Sequence, residues 1–127
     1  MHELKTLSKK EDLVFVGGVA MKIHGLKENY NDIDVVVLNL EGLKNYVEYD
    51  TVSKFSQTGK RAFIDSQPKI DIFIEKELPE FELINGLKVQ TVKSMTEYYE
   101  KIYPLVTEHW QKQIDEKLKL LRWQDKI

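Results

Sequence analysis

Residues 14–38 read VFVGGVAMKIHGLKENYNDIDVVVL, and the division of this stretch into elements decides the fold. Leu13 to Val16 is a short apolar run that stops at Gly17-Gly18, as a buried strand does at a tight turn. Val19 to His24 then fits one or two helical turns ending at Gly25. Asp32 to Leu38 resumes as a strand, and its Val-Val-Val centre predicts burial on both faces. The unit is β-α-β. Its second strand carries two aspartates, Asp32 and Asp34, where apolar residues would be expected.

The rest of the chain extends the same sheet. Thr51 to Ser56 reads as a strand turning through Gly59 into Arg61 to Asp65, and Ser66-Gln67-Pro68 turns again into Lys69 to Glu75. In that last strand Ile70, Ile72 and Ile74 take one face, while Asp71, Phe73 and Glu75 take the other. Asn85-Gly86 between FELI and LKVQ is a two-residue hairpin signal. Ser94-Met95-Thr96-Glu97 has the form of a capping box opening a helix that Pro104 ends or kinks. A second helix is expected from about Thr107 to Gln124, with Trp110, Ile114, Leu118 and Leu121 as its packing stripe. The expected fold class is α/β (α+β): a mixed β-sheet packed against helices, with two C-terminal helices. Residues 1–127 are read as a single domain, with a sheet-rich core over 1–92 and helices over 93–127 packing on it.

Composition narrows the function classes. The 127 residues carry 19 Lys and Arg against 21 Asp and Glu, a formal charge of −2. That balance argues against a generic basic surface for nucleic acid and leaves room for a local patch. The absence of cysteine excludes disulfides, thiolate metal sites and cysteine nucleophiles. The first ten residues, MHELKTLSKK, form no apolar signal region, and no run approaches the roughly 18 apolar residues of a membrane span. A cytoplasmic location without membrane contact is expected.

The chemistry concentrates in the acids. Residues i and i+2 of a strand share a face, so Asp32 and Asp34 project together. Close carboxylates repel, and burying one unpaired is costly. A divalent cation bound by oxygen ligands resolves both costs. Mg²⁺ suits such a pair, since it typically takes one or two carboxylates together with substrate phosphate oxygens. Asp71 offers a third carboxylate if its strand lies beside that of Asp32 and Asp34. The Gly17-Gly18 turn leading into a helix lets backbone N–H groups approach a phosphate unobstructed. A glycine turn beside carboxylates describes a site for a metal-bound polyphosphate.

On these residues the chain resembles the DNA polymerase β-like nucleotidyltransferase superfamily. GGVAMKIHG followed by DID, with a later isolated IDIF, is similar to that family's glycine turn, short helix, Asp-x-Asp strand and third acid on a neighbouring strand. The Gly-Gly-x-Ala-x-x-x-His-Gly form most resembles its small stand-alone bacterial and archaeal branch, which includes abortive-infection-type toxins. The resemblance implies that Gly17 and Gly18 contact the phosphates of a nucleoside triphosphate. It implies that Asp32, Asp34 and Asp71 are the catalytic acids and hold two Mg²⁺ ions, with Asp71 accepting the proton of the attacking hydroxyl. The implied activity is transfer of a nucleoside monophosphate to a hydroxyl acceptor such as an RNA end, a small molecule or a protein. A second copy of the chain or a partner protein is expected to supply the acceptor platform.

The branch often places an Arg four residues after its His and a Thr two residues further. Here those positions are Glu28 and Tyr30, and the neighbouring Lys27 is expected to point elsewhere. This departure supports a rival reading, a catalytically degenerate nucleotide- or partner-binding module of the same fold. Among the remaining polar residues, His24 is expected to cap or half-bury at the end of its helix. Lys60 and Arg61, beside the Gly59 turn, are expected to be a solvated pair.

Overall fold

The computed structural model describes residues 2–52 and 57–123. Among them four α-helices accompany one seven-stranded mixed sheet. In chain order these are α1 (His2–Ser8), β1 (Val14–Val16), α2 (Gly17–Ile23), β2 (Ile33–Val37), β3 (Tyr46–Glu48), β4 (Lys60–Ile64), β5 (Ile70–Ile74), β6 (Phe81–Ile84), β7 (Leu87–Gln90), α3 (Val92–Ile102) and α4 (Glu108–Trp123), with a 3₁₀ turn at Tyr103–Leu105 between the last two. The strand order across the sheet is β3-β4-β5-β2-β1-β7-β6. None of the described helices is long and apolar enough to cross a membrane. The chain divides into two compact units, residues 1–90 and 91–127.

In the first unit the core follows from strand alternation. β2 and β5 run parallel with Ile33 beside Ile70, Val35 beside Ile72 and Val37 beside Ile74. All six side chains are buried, a row of branched residues that packs well on a pleated surface. Each buried aliphatic side chain stabilises the fold by about 1.5–3 kcal/mol relative to exposure. Helix α2 packs on β1, β2 and β7 through Val19, Ala20 and Met21, all buried. His24 closes that helix and donates from Nε2 to the Gln90 carbonyl at 2.8 Å, so its half-buried ring ties α2 to β7. Helix α1 was not legible in the sequence. It packs against β7 with Leu4 and Leu7 buried, an i, i+3 pair too short to declare a period.

Three expectations about the elements need correction. The strand expected over 51–56 is not formed at Thr51 and Val52, and residues 53–56 lie outside the described residues. The strand that precedes β4 and pairs with it antiparallel is instead β3, a three-residue edge strand with exposed side chains and hence no burial pattern to read. The second correction is the cap of α3, which is Thr91 rather than Ser94. β7 delivers Thr91 in an extended conformation, and its hydroxyl accepts from the Ser94 N–H at 3.1 Å, which moves the helix start to Val92. Third, Ile114, Leu118 and Leu121 of α4 are buried, but Trp110 in its first turn is 53% exposed. Helical spacing identifies a stripe without saying where the surface that covers it ends.

The hairpin at Asn85-Gly86 forms as expected. Both residues have positive φ, 51° and 80°, the type I′ geometry that Asn-Gly supplies at low steric cost. In the second unit α3 and α4 pack on each other. Gln111 Nε2 donates to the Tyr103 carbonyl at 3.0 Å, and the Lys117 ammonium lies 5.2 Å from the centre of the Tyr99 ring.

Candidate functional site

The site begins where β1 breaks. Gly17 has φ +63°, a left-handed conformation that an L side chain adopts only at a cost. The space beside it is also taken. A Cβ at Gly17 would lie 2.5 Å from Asp34 Oδ2, so the Asp34 carboxylate rests directly on the glycine backbone. The strand register explains why, since Val16 pairs with Asp34 across the antiparallel β1–β2 ladder. Backbone conformation and side-chain contact thus impose glycine at this position for two separate reasons.

Gly18 differs. A Cβ there would meet Lys27 Nζ at 3.6 Å and Tyr30 Cβ at 3.7 Å, ordinary contact distances. The Lys27 ammonium therefore stands over the glycine turn, contrary to the expectation that it points elsewhere. Glu28 is exposed, and its carbonyl accepts a hydrogen bond from Lys22 Nζ at 2.7 Å. The same loop carries Lys27, one residue earlier, whose ammonium lies by the turn. A cation, Lys27, thus lies beside the glycine turn, while the Glu28 side chain is exposed.

β5 lies beside β2 with Asp71 opposite Asp34 in parallel register. Residues so paired share a face, about 4.8 Å apart from strand to strand. Asp71 is buried on an interior strand, not on the solvent face of an edge. Asp32 sits one residue before β2 and is exposed, so the sequence expectation that it projects from within the strand is corrected. Among the described residues no three acidic or histidine side chains gather closely enough to hold a metal ion. Asp34 and Asp71 are brought together with Gly17; Asp32 stands at the mouth of the strand.

The Asp71 carboxylate has three donors around it. Lys69 Nζ is 3.5 Å from Oδ1, Arg61 Nη2 is 3.7 Å from it, and the Tyr49 hydroxyl donates to it at 3.5 Å. Lys69 also donates to the Tyr49 hydroxyl at 3.2 Å, and that bond is the leading reason its pKa is raised above the ordinary lysine value, with Asp71 adding to it. All three contacts to Asp71 exceed the roughly 2.7–2.9 Å of a tight charge-assisted hydrogen bond. Arg61 is therefore no solvated pair with Lys60. Its guanidinium lies 4.9 Å from the Tyr49 ring centre and 4.7 Å from that of Phe73, a half-buried position set by cross-strand pairing of Arg61 with Phe73.

Two neighbouring carboxylates supply the hard oxygen donors that Mg²⁺ takes alongside substrate phosphate, so the donor set at Asp34 and Asp71 fits that ion. The residues that sequence reasoning missed are Lys27, Lys69 and Tyr49. Only Lys69 carried a signal, standing two residues before Asp71 and so on the same side of the chain. Comparison with protein-family models, with curated proteins and with solved structures finds no match to this chain.

Proposed function

We propose that the chain is a Mg²⁺-dependent nucleotidyltransferase of the polymerase β-like kind, transferring a nucleoside monophosphate from a nucleoside triphosphate to a hydroxyl. The observation that carries this reading is the placement of Asp34 opposite Asp71 with the Asp34 carboxylate against Gly17. Phosphate and metal chemistry use a backbone turn and paired acids close to one another, and here the turn after β1 and the two strands β2 and β5 contribute them. The β-α-β start, with acids on the second strand and on its parallel neighbour, supports the finer assignment of fold.

In this reading Gly17 and Gly18 receive triphosphate oxygens through backbone N–H groups, and Lys27 neutralises part of their charge. Asp34 and Asp71, joined by Asp32 from the mouth of β2, would hold Mg²⁺. Bound there, the ion would offset phosphate charge and acidify the acceptor hydroxyl. The hydroxyl oxygen attacks the α-phosphorus, the bond from that phosphorus to the pyrophosphate oxygen breaks, and pyrophosphate departs. Asp71 takes the hydroxyl proton.

Titration calorimetry with a non-hydrolysable nucleoside triphosphate tests the site, with and without Mg²⁺. Wild type should bind in a Mg²⁺-dependent manner, and Asp34→Asn should lose that binding. Equal binding by the two proteins would refute Asp34 as a ligand. A second reading, a binding module of the same fold without turnover, is favoured by the position of Asp32, which is exposed and lies outside β2. It is distinguished by binding of triphosphate with no release of pyrophosphate over any tested acceptor.

A further inference from the structure

The face of the sheet that carries Asp71 also carries a cluster of rings and cations that the triphosphate site does not use. Phe63 pairs with Asp71, and Arg61 with Phe73, across the β4–β5 ladder. Tyr49, just beyond β3, is held to β4 by its N–H on the Arg61 carbonyl. Its ring meets Phe63 at 5.1 Å between centres. Lys69 Nζ lies 5.1 Å from the Phe63 ring centre, and Arg61 contacts the rings of Tyr49 and Phe73. Two cations thus stand beside the Asp71 carboxylate, on the side of it away from the β2 strand that carries Asp34.

Pairing with Asp71 does not exhaust these groups. Neither cation makes a tight hydrogen bond with the carboxylate. Arg61 Nε is buried without a hydrogen-bond partner among the described residues. The Lys69 side chain remains 41% exposed, so its ammonium can serve an anion arriving from solvent. Val47, which pairs with Phe63 in the same row of the sheet, is 53% exposed, so this row meets solvent beside the rings. Aromatic faces next to cations suit a ligand with both a π-surface and a phosphate.

Resting on the nucleotidyltransferase reading, we infer that Tyr49, Arg61, Phe63 and Lys69 form the acceptor subsite, and that it takes the end of a single-stranded nucleic acid. A terminal base stacks on the Phe63–Tyr49 side, its phosphate meets Lys69 and Arg61, and the terminal hydroxyl is thereby set beside Asp71. A nucleic-acid end offers both a base for the rings and a phosphate for the cations, next to the hydroxyl that reacts. The chain's overall charge of −2 confines the attraction to this patch and makes it sensitive to salt.

Fluorescence anisotropy of the full chain with a 5′-labelled single-stranded oligonucleotide, as RNA and as DNA of one sequence, tests the subsite without requiring turnover. Wild type should bind, more weakly as salt rises. Lys69→Gln, which alters an exposed ammonium and leaves the rings in place, should weaken binding by about tenfold, and Phe63→Leu by a similar factor through loss of one stacked base. Preference for RNA would add recognition of the 2′-hydroxyl, while equal affinity for DNA would mean that stacking and phosphate suffice; both outcomes support the subsite. Unchanged affinity in Lys69→Gln and Phe63→Leu, or no oligonucleotide binding by wild type, would overturn it. Oligonucleotide binding that depends on Lys69, in a protein that ignores triphosphate, would retain this surface and reject the transferase reading. Triphosphate binding lost in Asp34→Asn, in a protein indifferent to oligonucleotides, would do the reverse.

Discussion

Gly17 and Gly18 are identical in the sequence and unlike in their surroundings. Gly17 combines a left-handed backbone with a space already filled by the Asp34 carboxylate, while Gly18 has room for a methyl group. Gly17→Ala should therefore lower stability by at least about 1–2 kcal/mol from backbone strain alone, with the displaced carboxylate adding to it. Gly18→Ala should melt near wild type. Equal melting temperatures for the two variants would contradict the geometry. The same turn decides between Lys27 and Glu28. Since Lys27 faces Gly18 and Glu28 faces solvent, Lys27→Met should weaken triphosphate binding by about 1.5–3 kcal/mol, the range for hydrogen bonds to charged groups. Glu28→Arg should change it little. Titration of both variants at two salt concentrations checks this, and a tighter Glu28→Arg would restore the acid to the phosphate site. Asp34, Asp71 and Gly17 could be picked out from sequence because strand alternation and a glycine break are local signals. The direction of Lys27 is not a local signal, because it depends on the path of the loop between α2 and β2. Arg61 was misread for a related reason: its partners come from β5 and from the segment after β3.

At the scale of elements, strands with many neighbours were legible and short edge pieces were not. β2 announces itself through its Val-Val-Val run and β5 through alternating isoleucines, whereas β3 and α1 offer only three and seven residues, too few for a period to emerge. Lys10 and Asp12 hold the segment after α1 against the end of β2, Lys10 through Asn39 Oδ1 and the Glu41 carbonyl. Asp12 accepts from the Leu38 N–H at 2.9 Å and pairs with Lys10 at 2.8 Å. Burial pushes the Asp12 pKa up, but Lys10 and the Leu38 N–H outweigh it and hold the carboxyl below its ordinary value. A depressed folded-state pKa means that the unfolded chain binds more protons in the acid window. The stabilisation is then complete above the unfolded value of about 3.9 and is lost as pH falls through the folded one. The difference in melting temperature between wild type and Asp12→Asn should accordingly be constant near neutrality and shrink in acid. A difference independent of pH down to the acid limit would remove the charge from the explanation. Thr91 offers a second test at this scale. Thr91→Ala should cost about 1 kcal/mol through loss of the N-cap, whereas Ser94→Ala, inside the helix, should cost less in the same denaturant titration.

Over the whole chain, every group assigned to triphosphate and metal lies within residues 1–90, the unit that contains the entire sheet. The stability of that unit should therefore respond to ligand by mass action. At a hundredfold its dissociation constant a ligand contributes about 2.7 kcal/mol, which for a unit of this size corresponds to a rise in melting temperature on the order of 10 °C. Nucleoside triphosphate with Mg²⁺ should produce that rise, and chelation by EDTA should remove most of it. Asp34→Asn separates the metal site from general anion binding. The variant keeps the strand and its neighbours, relieves repulsion between two carboxylates on adjacent strands, and should melt at or above the wild-type temperature without ligand. With ligand it should gain almost nothing. Lys69→Gln, placed in the acceptor patch, should retain the wild-type response. If residues 91–127 melt in a separate transition, that transition should stay where it is. A full ligand response in Asp34→Asn would mean that Lys27 and the glycine turn bind phosphate without the carboxylates, and the paired acids would then need another explanation.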